Sequence, residues 1–201
     1  MTVSFGILGL GRVVKSRVSS VFGKEVKGAN VVSVYDKNKK KNLEFSKYFK
    51  IKTSKPFKDF LKKDFDYVYI ATESGNHAKN IKSCLVQGKN VIVEKPPTLR
   101  IDQLIKLENL ARKKRLDFYV VYQNRLNKSV VFLKKILNKK LKKKIIFLNL
   151  KLLWCRKQSY YNDWHGKWLS DGGVLAQQGV HYVDLLCHLF GEPINCISKI
   201  Y

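Results

Sequence analysis

Three short segments of this chain carry groups that could take part in chemistry. A glycine turn, Gly9-Leu10-Gly11, directly follows an apolar N-terminal segment. Glu94-Lys95-Pro96 ends a later apolar segment, and His181 lies far downstream in a glycine-rich context. The turn is typical of dinucleotide binding, while Lys95 and His181 each offer a group that can hold or move a proton. Together these segments predict an enzyme that transfers a hydride.

The glycine turn carries part of a dinucleotide-binding fingerprint. Gly9 and Gly11 would let the backbone approach a pyrophosphate, and Arg12 and Val13 begin a helix whose free N–H groups would face it. Val14 stands where the usual third glycine lies, so the fingerprint is imperfect. The turn therefore needs support from other residues before it indicates a cofactor.

Asp36 supplies that support. It ends the second predicted strand about 20 to 25 residues after the turn, where an acid binds the ribose 2′-OH. Because a carboxylate repels a 2′-phosphate, we expect NAD. NADP is the alternative, since Lys37 and Lys39 could offset the charge of Asp36.

Apolar strands alternate with helical segments over residues 1–122. This order is typical of a parallel sheet with helices on both faces, so the fold class is α/β with an N-terminal Rossmann domain that binds NAD. The predicted strands are 3–8, 31–35, 67–71, 91–93 and 118–122, and the predicted helices are 12–22, 38–49, a short one at 57–61, 76–87 and 101–115.

The pattern changes over residues 123–201. Helix 127–140, strand 145–154, irregular segment 155–170, helix 173–190 and strand 194–201 are predicted there. One strand-helix-strand unit cannot cover its own sheet. We therefore expect an incomplete α+β domain for substrate binding and oligomerisation, and a chain shortened at its C-terminus.

The composition limits the class of protein. The net charge is +25, but only seven of the basic residues are arginines and the lysines are spread along the chain. We interpret this excess as a solvated surface, with a basic nucleic-acid-binding protein as a remote alternative. No run of 18 apolar residues predicts a membrane span. The four cysteines lack metal-site spacing, so we expect a reduced cytoplasmic protein without a metal.

Several motifs in this order resemble the Gfo/Idh/MocA oxidoreductase family over essentially the whole chain. They are Gly9-Leu10-Gly11, Ala71-Thr72 with Asn76-His77, Glu94-Lys95-Pro96, and Gly172-Gly173 followed by Gly179-x-His181-x-x-Asp184. The resemblance implies that Lys95 and His181 are the functional residues. It also implies that Thr72, Asn76, His77, Glu94 and Lys95 lie at the cofactor.

One departure from the family pattern narrows the substrate. Gln177 stands where sugar and inositol dehydrogenases of the family usually carry an aspartate. Glutamine cannot exchange a proton, but it can bind a sugar hydroxyl. This amide resembles the nucleotide-sugar 3-dehydrogenase branch, and so does the cationic, aromatic segment around Arg156, Tyr161 and Trp164, which could bind phosphate, base and sugar.

The predicted function is oxidation of a secondary hydroxyl of a sugar or nucleotide sugar. His181 would take the hydroxyl proton and Lys95 would stabilise the developing charge, although these two roles could be exchanged. The alternative is a family member that binds a dinucleotide but is inactive or regulatory. A homo-oligomer is expected for a full-length chain.

Overall fold

The computed structural model describes residues 2–18, 22, 25–52, 56–137, 139–142 and 144–199. Five parallel strands form one sheet in the order β2-β1-β3-β4-β5. They are β1 (Val3–Leu8), β2 (Ala29–Tyr35), β3 (Tyr67–Ile70), β4 (Asn90–Glu94) and β5 (Phe118–Val121). All five strands predicted for the N-terminal part are thus confirmed.

Helical segments follow most of the strands. The N-terminal set is a π-helix (Val14–Val18), α1 (Lys39–Tyr48), α2 (Phe57–Lys62), α3 (Ser74–Val86) and α4 (Ile101–Lys114). The C-terminal set is a 3₁₀ helix (Gln123–Leu126), α5 (Lys128–Ile136), α6 (Lys139–Lys142), a second 3₁₀ helix (Gln158–Tyr161), α7 (Trp168–Asp171), a π-helix (Leu175–Gly179) and α8 (Val180–Phe190). Within the predicted helix 12–22, Val14–Val18 form a π-helix, and residues 19–21, including Val21, lie outside the described residues.

Both faces of the sheet are covered by apolar side chains. On one face, Phe60 of α2, Ile81 of α3 and Leu107 of α4 pack against strands β3 and β4. On the other face, Val14 of the first π-helix and Phe45 of α1 pack against β1 and β2. Strands buried on both faces are typical of doubly wound α/β proteins, so the predicted Rossmann architecture is confirmed.

The strand order places a ligand crevice at one edge of the sheet. The chain runs from β1 outward to β2, and then returns to β3 on the other side of β1. The connections after β1 and β3 therefore leave in opposite directions, which opens a crevice at the carboxyl ends of these strands. The segments that carry the predicted chemistry follow β1, β3 and β4 at this edge.

Two predicted strands of the second domain are wrong. Residues 145–154 and 194–199 are not in strands, and residues 200–201 lie outside the described part. Ile146 is fully exposed, and Ile194 and Ile197 are almost so. Alternating apolar residues indicate which face a strand would bury, but a strand also needs a neighbour for its N–H and C=O groups. Within the described residues neither segment has one.

Candidate active site

The turn after β1 requires glycine at position 9. Its φ is +91°, and a Cβ there would lie 2.7 Å from the backbone of Ala71, which follows β3. The N–H of Gly9 donates to the carbonyl of Tyr35 at the end of β2. At Gly11, by contrast, a Cβ would meet only the Ala71 carbonyl, at 4.0 Å. Backbone atoms thus pack tightly against Gly9, whereas the space next to Gly11, towards the crevice, is open.

Asp36 is fixed beside this turn. Its Oδ2 accepts from the Leu10 N–H and its Oδ1 accepts from the Asn38 N–H, both at 2.8 Å. Each carboxylate oxygen has room for a second hydrogen bond. The carboxylate therefore shapes the turn and keeps acceptor capacity for a hydroxyl.

An ion pair crosses the crevice beside Asp36. Nζ of Lys37 donates to Glu73 at 2.7 Å, and this hydrogen bond raises the pKa of Lys37. The second oxygen of Glu73 accepts from the amide of Asn76 at 2.7 Å. Lys37 follows β2 and Glu73 follows β3, so the pair connects the two sides of the crevice.

His77 lies beneath the crevice. Its side chain is buried, with Nδ1 2.7 Å from the Pro96 carbonyl and Nε2 3.0 Å from the Thr72 carbonyl. Burial lowers its pKa. The hydroxyl of Thr72 accepts from the amide of Asn80. His77 thus joins the ends of β3 and β4, and its contact with the cofactor stays a prediction.

Lys95 reaches from the end of β4 to the second domain. Its Nζ donates to the backbone carbonyl of Gln177 at 2.5 Å and to the side-chain Oε1 of Gln177 at 3.3 Å. Burial lowers the pKa of Lys95. The neighbouring Glu94 turns away and accepts from the Tyr69 hydroxyl at 2.5 Å. The lysine therefore projects towards the second domain while Glu94 is held at the sheet.

His181 belongs to α8 and lies close to Lys95, which follows β4. The residue is 8% exposed, and its Nδ1 is buried without a hydrogen-bond partner among the described residues. Burial and the nearby Lys95 ammonium lower the pKa of His181 to about 4. Gln177, four residues earlier, is buried as well, and its amide lies 3.5 Å from the hydroxyl of Ser74. The fold thus brings Lys95, Gln177 and His181 together, as the sequence predicts.

Arg125 joins this group and was not predicted. Its guanidinium forms a two-pronged ion pair with Asp184, one of whose oxygens is 2.8 Å from Nε. Arg125 belongs to the 3₁₀ helix after β5, and Asp184 lies three residues after His181 on α8. The Asp184 side chain is only 8% exposed. No local pattern marks Arg125, because its partner is 59 residues away.

The aromatic segment 158–165 lies beside the glycine turn. Nη2 of Arg12 is 3.6 Å from Asp163, and its guanidinium lies 5.1 Å from the ring centre of Tyr160. His165 stacks between Tyr160 and Trp164, at 4.1 and 3.9 Å between ring centres. A His165 tautomer that donates from Nδ1 to Asp163 leaves Nε2 to accept from Arg12 at 3.4 Å.

Arg156 contacts the same aromatic cluster. Its guanidinium is 4.7 Å from the ring of Trp154 and 5.6 Å from that of Tyr160. Tyr161 is exposed and packs edge-on against Tyr160. Tyr160 is therefore shared by Arg12, which was predicted to bind the cofactor, and Arg156, which was predicted to bind the substrate.

Comparison with known proteins identifies the family. The model of the Gfo/Idh/MocA oxidoreductase family, NAD-binding Rossmann fold, matches residues 3–122, and the model of the family's C-terminal alpha/beta domain matches residues 135–201. The chain belongs to the Gfo/Idh/MocA oxidoreductase family. The predicted family, the Rossmann fold and the presence of an NAD-binding domain are thereby confirmed.

Solved structures share the fold of this Gfo/Idh/MocA protein. The WlbA dehydrogenase from Chromobacterium violaceum, crystallised with NADH and UDP-GlcNAcA, is 30% identical and has a TM-score of 0.89; the match covers 94% of this chain and 56% of that one. The WlbA dehydrogenase from Bordetella pertussis, in complex with the same two molecules, is 28% identical, also with a TM-score of 0.89, over 94% and 57% of the two chains.

A curated relative matches nearly the whole chain of this Gfo/Idh/MocA protein. It is Oxidoreductase P35 from Formosa agariphila, 24% identical over 96% of this chain and 62% of its own length. The chain thus spans less than two thirds of the proteins it resembles. Over the described residues, no helix is both long and apolar enough to pass through a membrane.

Proposed function

We propose that this protein is an NAD-dependent dehydrogenase that oxidises a secondary hydroxyl of a nucleotide sugar. The observation that carries the proposal is the meeting of Lys95 and His181 at the crevice. Lys95 carries a positive charge, and the ring of His181, whose pKa is lowered to about 4, is neutral at pH 7. Oxidation of an alcohol needs both, because a proton must leave the oxygen while negative charge develops on it.

The crevice fits a dinucleotide. Backbone lies so close beneath Gly9 that a side chain is excluded, while the space above Gly11 is open. Arg12 stands at the start of the following helix, and Asp36 keeps acceptor capacity for a ribose hydroxyl. The cofactor would be held by Gly9, Gly11, Arg12, Val13 and Asp36. When bound, its nicotinamide ring supplies the acceptor for the hydride.

His181 is the base in this proposal. With a pKa of about 4 its ring is neutral at pH 7, so it can accept the hydroxyl proton. Lys95 donates to two oxygens of Gln177, which keeps its ammonium oriented for a third, negatively charged oxygen. The lowered pKa of Lys95 leaves the exchanged assignment, with Lys95 as base, as the competing version.

The aromatic segment supports a nucleotide sugar over a free sugar. Two guanidinium groups, those of Arg12 and Arg156, contact one tyrosine ring. Arg156 donates to the Cys155 carbonyl but forms no ion pair within the described residues, so its guanidinium can pair with a phosphate. Trp164 and Tyr161 offer ring faces for a base or a sugar, and Gln177 offers an amide for a hydroxyl. The WlbA structures, solved with NADH and UDP-GlcNAcA, agree with this choice.

A second candidate is a family member that binds the dinucleotide without turning over a sugar. It is favoured by the exposed apolar segment 145–154, which builds no wall for a substrate within the described residues. The same exposed side chains support the proposal of a homo-oligomer.

A cytoplasmic location and NADP as an alternative cofactor remain proposals as well. The alternative of nucleic-acid binding is supported only by the net charge of +25.

The test is formation of NADH by the purified protein with UDP-GlcNAcA, UDP-GlcNAc and free inositol as substrates. We expect turnover with a nucleotide sugar. Replacing His181 by Ala should lower kcat by about 100-fold or more and leave the Kd for NADH nearly unchanged. Near-normal turnover of this variant would exclude His181 as base. NADH binding without turnover of any sugar supports the non-catalytic candidate.

The other candidates have their own readouts. Arg156→Ala should raise KM for a nucleotide sugar and leave that for a free sugar unchanged, whereas equal effects on both substrates contradict phosphate binding by Arg156. Tight DNA binding that weakens steeply with salt would favour the nucleic-acid-binding alternative.

A further inference from the structure

We infer that Arg125 is a positioning residue that sets the proton affinity of His181 by neutralising Asp184. Asp184 and His181 are three residues apart on α8, so their side chains lie on the same side of the helix. Both side chains are largely buried, and the Asp184 charge acts on the imidazole. Nδ1 of His181 has no hydrogen-bond partner among the described residues, and the carboxylate of Asp184 accepts from Arg125.

The geometry holds the carboxylate away from the imidazole. Two donors of the Arg125 guanidinium meet the two oxygens of Asp184, the arrangement that fixes a carboxylate most strictly. Arg125 is itself held over the ring of Tyr122, with 5.3 Å to the ring centre. A buried carboxylate beside a histidine would otherwise favour the imidazolium. The ion pair offsets part of that attraction, and burial and the Lys95 ammonium lower the pKa of His181 further.

The other charges around the two residues are few. Lys95, at the end of β4, faces His181 and lowers its pKa. Tyr122 faces Asp184 from the end of β5, and His188 follows Asp184 on α8 with Lys134 of α5 against it. Among these groups, Arg125 alone forms an ion pair with Asp184 in the described residues.

The inference rests on the proposed function for its consequence, since a neutral His181 matters only if the ring is the base. Its test needs no substrate. The pKa values of the four histidines are measured by NMR on labelled protein, over the pH range in which the native spectrum persists. His165, which contacts Arg12 and Asp163, serves as the internal reference.

The decisive variant is Arg125→Gln. We expect the pKa of His181 to rise by about one unit or more, because the carboxylate of Asp184 loses its counter-charge. The double variant Arg125→Gln with Asp184→Asn removes both charges and should return the pKa towards the original value. The matched control is Lys134→Gln, which removes a lysine next to His188 and should move the titration of His188 but not that of His181.

Several outcomes would overturn the inference. One is an unchanged His181 pKa in Arg125→Gln, and another is a double variant that keeps the raised value. If Arg125→Gln does not fold, Arg125→Lys and the double variant carry the test: the lysine keeps the counter-charge and should leave the pKa of His181 near the original value, and a rise of one unit or more in Arg125→Lys contradicts the inference. The two proposals can fail separately. If the histidine pKa values change as expected but the protein has no dehydrogenase activity, the proposed function is refuted and this inference stands.

Discussion

The Nζ atom of Lys95 lies 2.5 Å from the backbone carbonyl oxygen of Gln177, 82 residues further along the chain. This contact connects the end of β4 to the helix that carries His181. A main-chain acceptor holds the ammonium in place whatever side chain stands at position 177. The placement of Lys95 therefore depends on the backbone position of the π-helix Leu175–Gly179. It depends less on the side chain at position 177, where Gln177 replaces the aspartate that is usual in the family.

Replacing Lys95 by Met should separate catalysis from cofactor binding. The variant keeps the length of the side chain and loses the charge that would stabilise the substrate oxygen, so we expect kcat to fall by about 100-fold or more. NADH binding, followed by fluorescence, should change little. The matched control is Lys82→Met on the exposed side of α3, which should leave both values unchanged. Normal kcat in Lys95→Met would exclude the proposed role.

Replacing Gly9 by Ala should abolish dinucleotide binding. Gly9 and Gly88 both have positive φ, but only at Gly9 would a Cβ meet backbone atoms, at 2.7 Å. Gly88→Ala measures the conformational cost alone, about 1 kcal/mol in the free energy of unfolding. We expect a larger loss for Gly9→Ala, measured by denaturant unfolding, and no NADH binding where the variant still folds. Equal losses for the two variants contradict the close packing of the turn.

The Lys37–Glu73 ion pair should influence the choice between NADH and NADPH. In Glu73→Gln the lysine is released and can attract a 2′-phosphate, so the ratio of NADH to NADPH affinity should shift towards NADPH by about 2- to 10-fold. Lys37→Ala should shift it in the opposite direction. Glu44→Gln, which breaks the exposed pair with Lys15 at 3.0 Å, is the control. Identical ratios in all variants would show that Lys37 does not face the 2′ position.

The pKa of His181 predicts how stability depends on pH. The folded-state pKa of about 4 lies below the ordinary value of 6.5, so between these pH values the unfolded chain binds more protons. The free energy of unfolding should therefore fall as the pH is lowered through this window. His181→Gln should reduce the slope, while His188→Gln, at a half-buried position, should reduce it much less. Part of the slope should remain, because burial also lowers the pKa of His77.

The N-terminal fold follows from sequence because its signals are local. Short apolar segments separated by helices predict a parallel sheet, and every predicted strand up to residue 122 is present. The second domain contains the failures. The alternation over 145–154 predicts a strand, yet strand formation depends on a pairing neighbour, and a sequence pattern cannot supply one.

Residue types and spacing by themselves determined the glycine turn, the acid after β2, and Lys95 and His181 as the groups able to handle charge and protons. Each is marked by its immediate neighbours, whether glycine, proline or the end of an apolar run. Tertiary structure alone decided that the His77 ring lies between the carbonyls of Thr72 and Pro96. It also decided that Arg125 neutralises Asp184 beside His181. These contacts join segments that separate elements bring together, and burial then sets the protonation of the groups they contain.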